Sequence, residues 1–384
     1  MQAPVHLYGM PASLYTAKAR AYLRKQRLEV IEHPVGSESF GRLVATVGRF
    51  IMPIVETGDG TIVQDSTAII DFVEGADAAR RSAYPDTPVQ RVVSLIFDLF
   101  GSEGLLRPAM HYRWNFDAEN LAFLRDDFVA GLAPNADRDQ GDAVFANASG
   151  LMRRAASAFG VSPDTHAAIE ASYAEFLALF SAHLTTAPYL LGGRPTIGDY
   201  GMIGPLYAHL GRDPAPARLM QTRARPVWRW TERMNAPEAM LDQFEGAGET
   251  LFADDAIPPT LEALMTFIAQ DYLPELTAHV GFANDWLAQH PDLAAGSSGL
   301  PHPGQRAIGM ASFEWRGLPI KSAVMLYRFW LLQRVQDAAA ALDDAARDRL
   351  DAVLARTGLA ALLTLKTSRR VERIDHLEVW GPAA

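Results

Sequence analysis

The order of apolar and polar positions divides the chain into three stretches. Val5-His6-Leu7-Tyr8 reads as a short strand and Gly9-Met10-Pro11 as a turn. Residues 13–25 then take helical spacing, with Ser13 placed to cap the first turn. A second strand is predicted over residues 30–34. Ile51-Met52-Pro53-Ile54-Val55 reads as a strand with a proline inside it, and Thr61-Ile62-Val63 follows after Gly58-Asp59-Gly60, a turn of residues that tolerate positive φ. Proline cannot donate to a ladder, so Pro53 belongs at a strand's first residues, at an edge or in a cis turn. Gln64-Asp65-Ser66-Thr67 then opens a helix with Ile69, Phe72 and Val73 on its apolar face. The predicted order is βαβ-α-ββ-α, a thioredoxin-like α+β unit over residues 1–80.

Residues 76–87, rich in Asp, Ala, Arg and Pro, read as a linker. Beyond it helical periodicity dominates, at 89–110, 119–132 and 163–184, so residues 88–248 form an all-helical second domain. Residues 133–149 are polar without a period and are expected to form a loop. Thr196 and Asp199 stand at N-cap and N3 of a further helix, a capping box. The acidic, proline-containing residues 254–259 mark another boundary. The rest, 255–384, is a mostly helical extension with helices over 261–287, 318–342 and 350–365. Strand-like segments at 308–315 and 371–380 are expected to pair into a small sheet.

Composition narrows the chemistry. The 384 residues are 49% hydrophobic and 21% charged, a globular balance sufficient for two or three domains. The formal net charge of −10 argues against a nucleic-acid partner. There is no cysteine, which removes disulfides, thiolate metal sites, cysteine nucleophiles and thiol-disulfide exchange together. The N-terminal residues lack a signal peptide's basic start and apolar core, which predicts a cytoplasmic protein. The longest apolar run, 323–332, contains Arg328 and is about half of the ~20 residues that span a bilayer, so no membrane span is expected. The extension's histidines, His290 and His302 among them, lack ligand spacing, and no metal is expected.

The strand-borne proline, the hairpin and the Asp-Ser pair at a helix start followed by Ala-Ile resemble the glutathione-binding half of the glutathione transferase superfamily. The Thr196–Asp199 box resembles that of the buried helix in the family's second domain, and the ordered pair of motifs extends the likeness over about residues 4–245. The resemblance implies a cis-Pro53 and a Met52 whose backbone pairs with the cysteinyl part of glutathione. Asp65 and Ser66, with Gln64 beside them, would hold the γ-glutamyl amine and carboxylate. Arg49 is the nearest cation for the glycine carboxylate, although its spacing from the proline departs from the family's, and a surface arginine is the other reading.

In the resembling transferases without an active-site cysteine, a Ser or Tyr donates a hydrogen bond to the glutathione sulfur. Ser13, Tyr15 and Tyr8 are the candidates. Lowering a thiol pKa of about 8.5 by two units takes about 2.7 kcal/mol of preference for the thiolate. One charged hydrogen bond, roughly 1.5–3 kcal/mol, with a helix N-terminus can supply it. Ser13 is equally placed to be a plain cap. His111, Tyr112, Trp114 and Phe116 concentrate aromatics that would either wall a pocket for an apolar electrophile or pack a helix junction. The implied function is a serine- or tyrosine-type glutathione transferase that conjugates glutathione to a hydrophobic electrophile, a detoxifying homodimer. The alternative is a non-catalytic glutathione-binding, ligand-binding or interaction protein on the same fold.

Overall fold

The computed structural model describes residues 4–383 apart from 77, 242 and 247, so one position of the expected linker and the chain's first three residues lie outside the described residues. The N-terminal unit runs β1 (Val5–Gly9), α1 (Leu14–Lys25), β2 (Val30–Pro34), α2 (Glu38–Val47), β3 (Ile54–Glu56), β4 (Ile62–Gln64) and α3 (Ser66–Gly75). Its sheet has the order β2-β1-β3-β4, with β1 parallel to β2 and the pairs β1/β3 and β3/β4 antiparallel. This is the predicted thioredoxin-like arrangement. β3 begins immediately after Pro53, so the residue without an N–H stands outside the ladder.

Local chemistry sets the boundaries of these elements. The Ser13 hydroxyl accepts the Thr16 N–H at 3.2 Å and caps α1. Gly48, at φ 78°, ends α2 in a left-handed conformation. In the turn between β3 and β4 the Asp59 carboxylate accepts from the Thr57 hydroxyl and the Thr61 N–H.

The helical domain contains α4 (Pro88–Leu99), a π-helical segment (Phe100–Gly104), α5 (Leu106–Trp114), α6 (Asp117–Leu132), α7 (Arg138–Ala156), α8 (His166–Leu184), α9 (Ile197–Ala208), α10 (Pro214–Arg223) and α11 (Arg225–Asn235). The loop expected over 133–149 is mostly helix α7. Its buried positions, Gly141, Phe145, Ser149 and Ala156, hold small or polar side chains apart from Phe145, so within 138–149 the apolar period is weak. Its start is fixed by polar chemistry: the Asp137 carboxylate accepts the Gln140 N–H, and the Gln140 side chain accepts the Asp137 N–H. The single helix expected over 89–110 is α4, the π-helical segment and the first half of α5. A Cβ on Gly101 would lie 2.4 Å from the Met202 backbone nitrogen, so that segment and α9 approach at a distance only glycine permits.

The C-terminal part contains α12 (Pro259–Asp271), α13 (Leu273–Ala288), β5 (Ala307–Trp315), β6 (Leu318–Met325), α14 (Leu326–Ala340), α15 (Asp344–Thr357), β7 (Val371–Ile374) and β8 (Leu377–Trp380). Two strand expectations change here. Residues 318–342 are not one helix: β6 pairs with β5 across a turn at Arg316 (φ 50°) and Gly317 (φ 78°), and α14 follows directly. The last four residues of β6 are all buried, so its apolar pattern merges with that of the helix. Residues 371–380 form a tight hairpin, with Asp375 and His376 at positive φ, and pair with each other rather than with β5. Neither Arg-Gly nor Asp-His is the Asn-Gly signal that marks such a turn in sequence.

One hydrophobic core runs through all three parts, joining Leu7 and Ile70 to Phe97, Phe176 and Trp230 and on to Leu264, Phe329 and Trp380. The extension is therefore packed into the body of the molecule. α14 lies along α4, and α9 lies along α1.

The Thr196–Asp199 box has the predicted role. The Asp199 carboxylate accepts from the N–H groups of Thr196 (2.9 Å) and Leu190 (3.0 Å), the Thr196 hydroxyl (3.1 Å) and the Trp230 indole N–H (3.2 Å). Burial pushes its pKa up to about 6 against the pull of these bonds. Replacing Asp199 by Ala strands three buried N–H donors, each costing roughly 1–3 kcal/mol. Chemical denaturation of Asp199→Ala is therefore expected to show a loss of about 3 kcal/mol or more, and a loss under about 1 kcal/mol would refute this assignment.

Candidate active site

The site develops where β4 passes into α3. Asp65 adopts φ 93°, ψ 138°, a backbone conformation that costs a residue with a side chain roughly 1–3 kcal/mol. Its carboxylate offsets this by accepting the N–H groups of Thr67 and Ala68, both at 3.0 Å, as N-cap of α3. Ser66 is fully buried, and its hydroxyl meets no hydrogen-bond partner among the described residues. Such a group ordinarily has a partner in the working protein. The Met52–Pro53 bond is cis, and the Pro53 carbonyl accepts the Asp65 N–H at 3.3 Å. These residues lie together as the sequence predicts.

The extension supplies what the sequence did not foretell. The Arg373 guanidinium, on β7, stands 2.9 Å from Asp65 and donates to the Gln64 side-chain oxygen at 2.8 Å. Arg49 is buried and donates to both oxygens of Glu378, on β8, at 3.2 and 3.3 Å, and to the His376 carbonyl at 2.7 Å. Arg373 and Glu378 are directly opposed in the hairpin register and 3.7 Å apart. Burial would raise the Asp65 pKa, but Arg373, the Ala68 N–H and Lys18 outweigh it and hold the carboxyl below its ordinary range. A site with a negative pole at Asp65 and a positive pole at Arg49 thus faces a hairpin with the complementary pair of charges.

The three hydroxyl candidates separate by their partners. Tyr8 donates to Glu56 at 3.3 Å and stacks on His33. Tyr15 donates to Glu103 at 2.8 Å, and burial together with that carboxylate pushes its pKa well above 10. Ser13 accepts from Thr16 and has no acceptor for its own proton among the described residues. The aromatic group at the end of α5 and the start of α6 is occupied by packing and by a hydrogen bond. Tyr112 stacks on Phe116 at 5.1 Å, Trp114 meets Phe128 edge-on at 5.7 Å, and His111 bonds to Glu170 at 3.0 Å. None of the four lines the clefts described for the molecule.

Beside the hairpin lies a narrow cleft of about 20 Å³ lined by Arg49, Glu378, Leu377, Tyr327, Gln305 and Arg306. Arg306 makes no hydrogen bond or ion pair among the described residues. Burial lowers its pKa, but nearby Tyr15, Glu378, Glu103 and Tyr327 raise it on balance, so it stays charged. Tyr327, near the start of α14, approaches the Thr67 hydroxyl at 3.3 Å. Among the described residues no cluster of three or more His, Asp or Glu has a metal-binding arrangement, and no helix is long and apolar enough to cross a membrane.

Behind Tyr15 is a buried charge cluster. Arg328 donates to Glu103 (3.0 Å) and Glu275 (2.5 Å), Arg107 donates to Glu275 (2.5 Å), and the Ser322 hydroxyl donates to Glu275 (2.8 Å). His279 lies 2.8 Å from that hydroxyl and 3.1 Å from Arg328. Burial, reinforced by Arg328, pushes the His279 pKa down to about 3. In the unfolded chain it titrates near 6.5, so its neutral form contributes stability that is complete above pH 6.5 and lost as pH falls toward 3. The slope is up to about 1.4 kcal/mol per pH unit. Stability measured between pH 6.5 and 4.5 is expected to fall more steeply in the wild type than in His279→Gln by about that amount. Parallel slopes would show that His279 is not held neutral.

Sequence reasoning placed the Asp65–Ser66 corner and missed Arg373, Glu378, Arg306, Glu103 and Arg328. Alternation of Val371, Arg373 and of Glu378, Trp380 about a two-residue turn is a weak hairpin signal in retrospect, but nothing in it says which surface the hairpin meets.

Residues 7–81 match the family model of the glutathione S-transferase N-terminal domain. No curated protein sequence matches the chain. Among solved structures, glutathione transferase GSTFuA3 from Phanerochaete chrysosporium is 16% identical, with a TM-score of 0.43, covering 61% of this chain and 97% of that one. The β-etherase LigF from Sphingobium sp. strain SYK-6 is 17% identical, with a TM-score of 0.42, covering 63% and 98%. A glutathione S-transferase from Rhodospirillum rubrum F11 is 16% identical, with a TM-score of 0.37, covering 68% and 99%.

Proposed function

Starting from a chain whose residues 7–81 match the family model of the glutathione S-transferase N-terminal domain, we propose that it binds glutathione and transfers it, as thiolate, to a hydrophobic electrophile. The observation that carries this reading is the pair of opposite charges at one site: Asp65, with the buried unpartnered Ser66 hydroxyl beside it, and Arg49. Glutathione is a zwitterion whose γ-glutamyl ammonium suits Asp65, whose γ-glutamyl carboxylate suits Ser66 and the α3 N-terminus, and whose glycine carboxylate suits Arg49. Arg306 is a second cation, lining the same cleft as Arg49. Ser13 is the thiolate donor on this reading, because its proton is uncommitted whereas those of Tyr8 and Tyr15 are engaged.

The work of catalysis then divides between two groups. The α1 N-terminus and the Ser13 O–H favour the thiolate over the thiol, and the Asp65–Arg49 poles fix the tripeptide so that its sulfur is presented at Ser13. A cytoplasmic homodimer engaged in detoxification belongs to the same reading, and sedimentation as a monomer at all concentrations would remove the dimer. A second reading, a non-catalytic binding protein, is favoured by one observation: both poles are already paired with the hairpin.

Calorimetric titration of glutathione into the full chain is expected to show saturable binding that Ser66→Ala weakens by about 1 kcal/mol or more, roughly fivefold. Ser13→Ala should keep that binding and lose at least about tenfold in conjugation of an aryl halide, the minimum for one hydrogen bond to a charged acceptor. Unchanged turnover in Ser13→Ala would transfer the role to another group, and absence of binding at millimolar glutathione would end the reading.

A further inference from the structure

The hairpin β7–β8 is built asymmetrically. At its base, Val371, Val379 and Trp380 are buried, with Trp380 packed among Trp286 and Phe329 at 6.3 and 6.1 Å. The base is also fixed by hydrogen bonds between Val371 and Gln333 in both directions and by the Gly381 N–H on the Arg370 carbonyl. At its tip, residues 373–378 are half-buried or exposed, Ile374 being 43% exposed, and no apolar side chain there is fully buried. The tip is held on the N-terminal unit by charge: Arg373 on Asp65 and Gln64, Glu378 and the His376 carbonyl on Arg49. Arg373 and Glu378 share one face of the hairpin, the face turned toward the site.

We propose that this tip is a built-in occupant of the glutathione site, an autoinhibitory flap that glutathione must displace. The proposal rests on reading the site as a glutathione site. The guanidinium of Arg373 stands where the γ-glutamyl ammonium would be bound, and the carboxylate of Glu378 stands where the glycine carboxylate would be bound. Ligand and tip present the same charges to the same two partners, so they exclude each other. The exchange replaces like with like: Asp65 and Arg49 pass from one ion pair to another without being left bare in a partly buried setting, which would be costly. The base stays in the core while the tip bends away within the hairpin, between the buried Val371–Trp380 pair and the Arg373–Glu378 pair. Apparent affinity is then the intrinsic affinity reduced by the fraction of molecules whose tip is open.

The test compares glutathione titrations of the full-length wild type, the double variant Arg373→Gln with Glu378→Gln, and Glu372→Gln, which removes a charge from the opposite face. Removing the tip charges is expected to tighten glutathione binding at least about tenfold, the effect of raising the open fraction from a tenth or less toward one. Glu372→Gln is expected to leave the affinity unchanged. Hydrogen exchange of the wild type, which depends on no variant folding, is expected to accelerate at residues 373–378 when glutathione is added, with residues 371 and 380 unaffected. Equal affinity in wild type and double variant, with unchanged exchange at the tip, would overturn the flap while leaving the glutathione site standing. No binding by either, with a double variant that keeps the wild-type circular dichroism, would overturn the glutathione reading and the flap with it.

Discussion

The buried guanidinium of Arg328 is the constraint around which the three parts of the chain are arranged. An unpaired charge at that depth is not tolerated, so Glu103 from the π-helical segment and Glu275 from α13 must both be present. Glu103 in turn takes the Tyr15 hydroxyl from α1, and Glu275 takes Arg107 and Ser322. One side chain on α14 thereby fixes the relation of the N-terminal unit, the helical domain and the extension. The π-helical turn that presents Glu103 is close-packed on α9 through Gly101, so the position of that carboxylate is set by backbone contact.

This arrangement explains why the extension belongs to the core of the molecule. Arg334 on α14 pairs with Asp71 on α3 and donates to the Tyr84 hydroxyl, carrying the same docking along the helix by two more turns. With α14 seated, Tyr327 lies at the α3 N-terminus and the chain that follows brings β7 and β8 over Asp65 and Arg49. The polar surfaces of a thioredoxin-like unit and a terminal hairpin meet because the helix between them is seated by its apolar side chains and by its paired arginines.

The N-terminal unit was legible because its signals are local. Ser13, Gly58-Asp59-Gly60, Pro53 and Asp65-Ser66 each dictate backbone conformation within a few residues, and the element order follows. The Thr196–Asp199 box was legible for the same reason. Helix α7 was not, since its buried face is made of Gly141, Ser149 and Ala156 as much as of Phe145. Strand β6 was not, since its buried end runs into α14 without a polar break. At the site, Asp65, Ser66 and Arg49 could be named from the sequence, whereas their partners could not. The contact between Arg373 and Gln64 spans 309 residues, and no periodicity reports a pairing at that range.

That same separation orders the assembly of the molecule. Closing a loop of several hundred residues carries a larger entropic penalty than forming a turn, so local elements precede it. The N-terminal unit must therefore set Asp65 in its unusual backbone conformation using its own Thr67 and Ala68 amides, before Arg373 is at hand. On that order the corner at Asp65 forms in advance of the segment that covers it, and an uncovered state precedes the covered one.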